Sequence, residues 1–315
     1  MKKQTKVQKG NVNTFSHRAK ADIRRNYPLY LMLLPVMVYY IIFYYKPMYG
    51  ALIAFKDYQP TLGVSGSPWV GLKHFTNFFS NPDFIRILRN TLTVSCSTII
   101  FGFPAPIILA LLFNELRSQK FKSIAQTISY LPHFISLVVV CGLVKSFVSP
   151  NGIIYDLVVA LGGQKTALLN RQEMYVPIYV LSGIWQEVGW GSIIYLAALS
   201  GIDQELYEAA RIDGANKWKQ VLNVTIPGIL PTIIIMLILK LGSLLSVGYE
   251  KTILLYNPLI YETSDIISSY VYRVGIGQQS WSYSSAVGLL NSVVNFIIIM
   301  TANKISAKYS ETSLW

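Results

Sequence analysis

Charge is scarce in this sequence. Only 13% of its 315 residues are Asp, Glu, Lys or Arg, about half the roughly 25% of an ordinary soluble domain. Hydrophobic residues make up 52% and mean hydropathy is +0.42, which excludes a disordered, collagenous or coiled-coil chain. Cysteine is nearly absent: Cys96 and Cys141 both sit in apolar runs, which excludes a disulfide scaffold and reads as two small buried hydrophobes. The three histidines, His17, His74 and His133, are scattered over a tail, an outer loop and a span entrance, so no metal cluster is expected. No GxSxG, HExxH or paired-cysteine motif occurs, and no GxxxxGKS/T phosphate loop. The chain is expected to be no enzyme, with no catalytic, metal or cofactor-binding residues of its own. What remains is an all-α polytopic membrane protein.

A bilayer core of about 30 Å takes about 20 helical residues. Six stretches are long and apolar enough: 28–45, 91–113, 125–148, 175–199, 228–248 and 283–302. They divide the chain into a basic tail (1–27), a six-span body (28–302) and a short tail (303–315). The first apolar run lacks a small-residue cleavage signature, so no cleavable signal peptide is expected. The net charge is +12, and its densest block is Lys2, Lys3, Lys6, Lys9, Arg18, Lys20, Arg24 and Arg25. That position suits a cytoplasmic anchor beside anionic headgroups better than a nucleic-acid face. With the N-terminus inside, 16 Lys and Arg fall in cytoplasmic segments and nine in outer loops, which predicts both termini in the cytoplasm of a bacterial cell. Lys145 is close to the outer end of the third span and is expected to snorkel. In the loop 46–90, Leu72–Phe79 reads as a short surface helix. Its Phe75, Phe78 and Phe79 would meet the membrane surface or a neighbouring subunit, or pack on the protein's own helices.

The connection 200–227 is the most informative segment. Ser200 with Asp203 predicts a capping box opening a helix. Gly214 supplies a residue able to take positive φ where that helix ends. A second helical stretch is predicted over 215–224, and Pro227 opens the fifth span. The spacing is EAA (Glu208, Ala209, Ala210), three residues, Gly214, nine residues, then V-T-I-P ending at Pro227. This resembles the signature loop of permease subunits of binding-protein-dependent ABC importers, with Val224 and Ile226 as apolar departures from I-x-L-P. The segments GSPWVGLKHF, FGFPAPIILALLFNELR, EVGWGSIIYLAALSGID and the terminal SLW are similar to a carbohydrate branch of that family handling complex oligosaccharides and polysaccharide fragments. The similarity runs over nearly the whole chain from about residue 25. The resemblance implies a heterodimer of two homologous six-span permeases, a pair of cytosolic ATPases that bind ATP and Mg, and an extracellular lipoprotein that delivers sugar. It also implies that the loop docks on the ATPase, with Glu208, Ala209, Ala210, Gly214 and Pro227 as the coupling residues.

Ionisable groups deep in a bilayer cost at least roughly 2.5–3.5 kcal/mol each. Glu187 and Lys240 fall halfway along the fourth and fifth spans. They pair with each other or line a wet cavity and bind sugar hydroxyls. The ion-coupled alternative, a secondary transporter, would use the same two groups as its relay, but no internal repeat supports it. Sugar rings need flat aromatic faces and fixed polar groups. Trp185, Trp190 and Tyr195 are candidates, although Trp185 and Trp190 lie about 140° apart on a helix and packing into a partner permease explains them equally. Tyr130 and His133 flank Pro132; a lone histidine is more often a satisfied structural group than a ligand. Asn291 and Asn295 share one helix face, where asparagines more often stitch helices together than bind substrate.

Overall fold

A computed structural model describes residues 22–163, 167–310 and 312–314. Most of the basic tail, including Lys2 to Lys20, therefore lies outside the described residues. The chain divides into two units, residues 1–52 and 53–315. In the first, α1 (Tyr27–Tyr40) continues through a π-helical turn (Ile41–Tyr45) into Lys46–Met48 without one buried residue.

The second unit is a helical bundle. Its elements are α2 (Lys73–Phe79), α3 (Phe84–Glu115), α4 (Gln119–Tyr130), α5 (Leu137–Val148), α6 (Ile153–Ala160), α7 (Tyr175–Ser200), α8 (Gln204–Ile212), α9 (Lys217–Leu241), α10 (Tyr249–Leu255), α11 (Ile267–Tyr272) and α12 (Trp281–Tyr309). Among the described residues no strand forms, only one isolated bridge between Lys56 and Trp69. Among the described residues five helical runs are long and apolar enough to cross a membrane: Tyr27–Phe55, Phe84–Glu115, Leu137–Ala160, Lys217–Leu241 and Trp281–Tyr309. The sixth is α7, whose 26 residues span about 39 Å but carry too many polar side chains to stand out by hydropathy.

Two predicted spans are corrected. The stretch 125–148 is not one helix. Pro132 has no N–H to continue the ladder, so a 3-10 turn (Leu131–Phe134) ends α4, and Ser136 caps α5 by accepting from the Val139 N–H. The fifth span is displaced from 228–248: α9 begins at Lys217, ends at Leu241, and holds Pro227 in its interior. A π-helical turn, Val221–Thr225, precedes that proline. The same placement recurs at Thr98–Gly102 before Pro104 and at Ile41–Tyr45 before Pro47. In each case the residue four before the proline, whose carbonyl the ring would strike in an α-helix, is the middle of the widened turn. Cys141 is buried as expected, whereas Cys96 is exposed on α3.

The axis of the unit is α7, which packs along the second half of α3 and against α4 and α9. Glycine permits the closest of these approaches. A Cβ on Gly189 would lie 1.9 Å from the Ser129 carbonyl oxygen of α4. At the end of the bundle opposite α8, a buried Asp265 pairs with Arg273 and accepts from the Ser269 hydroxyl at 2.9 Å. Arg86 of α3 reaches the Tyr261 carbonyl at 2.7 Å, and Asn90 donates to the carbonyls of Glu262 and Asp265. These bonds tie α3 to the segment before α11. The loop helix α2 packs on α12, and Phe78 is buried with Ile87, Tyr270 and Val287, while Phe79 stays exposed.

Replacing Gly189 with alanine is expected to force α4 off α7. The overpacking costs about 1–3 kcal/mol and lowers the thermal unfolding midpoint of the detergent-purified protein. An unchanged midpoint would refute the contact.

Candidate functional site

Two features converge on α7, a rigid loop at one end and a cavity along its side. The loop is held by its own backbone. Asp203 rather than Ser200 is the N-cap of α8: its Oδ1 accepts from the Glu205 N–H at 3.0 Å, whereas the Ser200 hydroxyl closes the preceding helix on the Ala197 carbonyl. The predicted Ser200–Asp203 box is therefore a one-residue Asp cap, because α7 runs on through Ser200. Gly214 takes φ +75° as expected, and the Ala215 N–H closes the end of α8 on the Ala210 carbonyl at 2.9 Å. Asn216 then caps α9 by accepting from the Lys219 N–H at 3.0 Å. The second predicted stretch, 215–224, is thus the first turns of α9.

Side chains lock this shape to the bundle. Tyr207 and Thr225 share a hydrogen bond of 3.0 Å, Lys217 pairs with Glu115 of α3 at 2.8 Å, and Ile202 is buried where Gly228 leaves room for it. Glu208 and Ala209 are exposed, Ala210 is half-buried, and Pro227 lies inside α9. Ile212 and Trp218 are 87% and 76% exposed, so the loop presents a preformed surface with an apolar pair flanking Gly214.

The cavity has a volume of about 590 Å³ and is walled by α3 (Thr98, Pro106), α7 (Tyr179, Glu187, Trp190), α9 (Met236, Lys240) and α10 (Lys251). Glu187 and Lys240 both line it, but their direct pairing is not what forms. The Glu187 carboxylate instead accepts from the His133 Nδ1–H at 2.9 Å, and the imidazole stacks flat on Trp190 with centroids 4.5 Å apart at 1°. The break at Pro132 is what frees His133 to turn toward α7. Tyr195 reaches the cavity but is chiefly core, 2% exposed among Ala110, Leu199 and Ile229. Trp185 is exposed and off the wall, as the angle from Trp190 requires. Tyr130 stands beside Ser192 of α7 rather than on the wall. Asn295 accepts from the Leu245 N–H at 3.0 Å, and both Asn291 and Asn295 donate to the Ser246 hydroxyl. They stitch α12 to the segment that follows α9 and line no part of this cavity.

One wall residue was not anticipated. Lys251 is 7% exposed; its ammonium donates to the Tyr179 carbonyl at 2.8 Å and stands 4.6 Å from that ring's centre. Gly183 makes the space, since a Cβ there would lie 3.0 Å from Nζ. Burial pulls the ammonium down to about 8, against Cys141 and Glu187, which favour its charged form. The local sequence YEKTILL carries no pattern that separates Lys251 from an ordinary loop lysine. The small residues at Gly183, Gly189 and Gly191 inside an aromatic helix were a usable signal of close approach.

A bundle of long apolar helices around a cavity lined by charged side chains, with a rigid loop at one end, is the make-up of a transport permease. The family model for the inner membrane component of binding-protein-dependent transport systems matches residues 102–308, and the chain belongs to that family. It is 46% identical over 296 residues to protein LplB of Bacillus subtilis, covering 94% of this chain and 93% of that one. It is 45% identical over 290 residues to YteP of the same organism, a polygalacturonan/rhamnogalacturonan transport system permease protein, covering 91% and 90%. A chain of a bacterial alginate ABC transporter, crystallised with a periplasmic protein holding an alginate pentasaccharide, matches with TM-score 0.86 and 43% identity, covering 94% of this chain and all of that one. These similarities give the ion-coupled alternative no support.

Asp203→Ala is expected to fray the start of α8 by about 1 kcal/mol. Amide exchange of 204–207 in the purified protein should quicken by roughly fivefold; unaltered protection would show that the cap does not hold the loop.

Proposed function

We propose that this chain forms half of the translocation path of an ATP-driven importer for oligosaccharides or polysaccharide fragments. A second homologous permease completes the path. An extracellular binding lipoprotein delivers the sugar, and a pair of cytosolic ATPases binds ATP and Mg and supplies the energy. The protein is oriented with both termini in the cytoplasm of a bacterial cell, so the loop 200–227 faces the ATPase. Glu208, Ala209, Ala210 and Gly214 form the docking surface, with Pro227 at the base of the loop.

The observation that carries this reading is mechanical. The loop joins α7 directly to α9, both of which wall the cavity, and it has no slack. A cap at each helix, the left-handed Gly214 and the Lys217–Glu115 pair make it a lever rather than a tether. A push on the exposed face of α8 therefore moves two cavity walls together, which is what alternating access by rocking helices requires. The cavity's Trp190, Glu187 and Lys240 provide an aromatic face and fixed polar groups suited to a sugar.

Gly214→Pro cannot take the observed φ of +75°, and Glu208→Lys reverses the charge of the exposed face. Each variant is expected to insert normally in the membrane yet to lose ATP-driven sugar uptake. Full uptake by either at normal expression would remove the coupling assignment.

A further inference from the structure

Two lysines and one carboxylate face the 590 Å³ cavity, and their partners are unequal. The Glu187 carboxylate is engaged by His133. Lys251 has a carbonyl and an aromatic face as partners, which attract a cation without cancelling its charge. Lys240, on the opposite wall element α9, also lines a smaller adjoining cavity of about 110 Å³ with Ser95, Ser243 and Ser246. Among the described residues its ammonium forms no ion pair.

The wall thus carries two positive charges against one negative charge that an imidazole already serves. In apolar surroundings an uncompensated charge is disfavoured. A neutral saccharide supplies hydroxyls but leaves this excess standing, whereas a saccharide bearing carboxylates removes it. Trp190, although covered on one face by His133, keeps 45% of its surface open and offers an apolar platform on the same wall.

The geometry points to a uronate subsite in this cavity, in which the Lys240 ammonium binds the carboxylate of an acidic sugar residue and Lys251 supplies fixed positive potential. This rests on the carbohydrate-importer reading and adds which sugars the path accepts. The carboxylate forms a charge-assisted hydrogen bond with the Lys240 ammonium, which a hydroxyl in its place forms only as a neutral acceptor. Lys240 is thereby a specificity residue, placed in the last turn of α9.

The test uses the complete importer, this chain with its partner permease, ATPases and binding protein, reconstituted in vesicles. ATP-driven uptake of an oligogalacturonide and of its carboxyl-reduced neutral counterpart is measured for the native complex, Lys240→Gln and Lys240→Arg. Recovery of all partner subunits at native stoichiometry establishes that each variant has folded and assembled. Lys240→Gln is expected to lower oligogalacturonide uptake about tenfold and to lower neutral uptake less, while Lys240→Arg restores the acidic substrate to within about twofold. Native oligogalacturonide uptake in Lys240→Gln overturns the subsite. So does equal loss of both substrates, or loss in the Gln and Arg variants alike, since shape rather than charge would then decide. A native complex that moves neither saccharide overturns the carbohydrate reading and the subsite with it, whereas the former outcomes leave that reading intact.

Discussion

The interior depends on the contact of Gly189 with the backbone of α4. With the Ser129 carbonyl where a Cβ of residue 189 would be, α4 and α7 meet main chain to main chain, an approach only glycine allows. Hydrophobic burial does little to hold helices together where the surroundings are themselves apolar, so packing at such short range and satisfied polar groups do that work. The consequence is local and specific. Because α4 is pinned at Ser129, the turn after it begins beside α7. His133, four residues on, arrives at Glu187 and over Trp190 rather than in lipid. The absence of a side chain at one position thereby places the charged and aromatic wall of the cavity.

Proline places the other constraints. The π-helical turns before Pro47, Pro104 and Pro227 each centre on the residue whose carbonyl the ring would otherwise strike. The helix absorbs the proline by widening one turn ahead of it. Asn223, at the centre of the last of these, donates its side-chain amide to the Lys219 carbonyl at 3.0 Å, so one of the acceptors near the widened turn is served by a side chain. At Pro132 the helix ends in a 3-10 turn, while Pro35 and Pro231 sit inside α-helix with no widened turn before them. One residue type thus gives two outcomes, continuation in α3 and α9 and a break between α4 and α5.

That difference accounts for much of what was and was not legible in the sequence. The fourth span, 175–199, agrees with α7 to within a residue, and the Gly214 conformation followed from its place after a helical run. Length and apolarity report a spanning helix well, and a left-handed glycine leaves a local mark. The break inside 125–148 left no such mark, since the apolar run continues through it and a proline alone does not decide: Pro35 and Pro231 lie inside continuous helix. Glu187 was visible as a misplaced charge, but its partner was not: His133 is 54 residues away and reaches it through the break at Pro132 and the Gly189 contact. Lys251 was hidden for the same reason, because the pocket that buries it is made by Gly183 and Tyr179 on another helix. The buried Asp265 with Arg273 and Arg86 is likewise a product of tertiary placement, each residue alone reading as loop polarity.

The loop and the cavity belong to one mechanical element. α7 carries Tyr179, Glu187 and Trp190 along its length and ends one turn before the Asp203 cap. α9 starts at the Asn216 cap and carries Lys240 near its far end. Between them lie only α8 and the left-handed turn at Gly214. Glu187 and Lys240 therefore stand on the two arms of a single bent lever whose corner is the exposed surface at Glu208 and Ala209. In the proposed mechanism a push at that corner moves both arms together, and with them the acidic and the basic group that line the cavity. By holding Glu187 on the α4–α7 side, His133 leaves Lys240 without an ionic partner on α7 among the described residues.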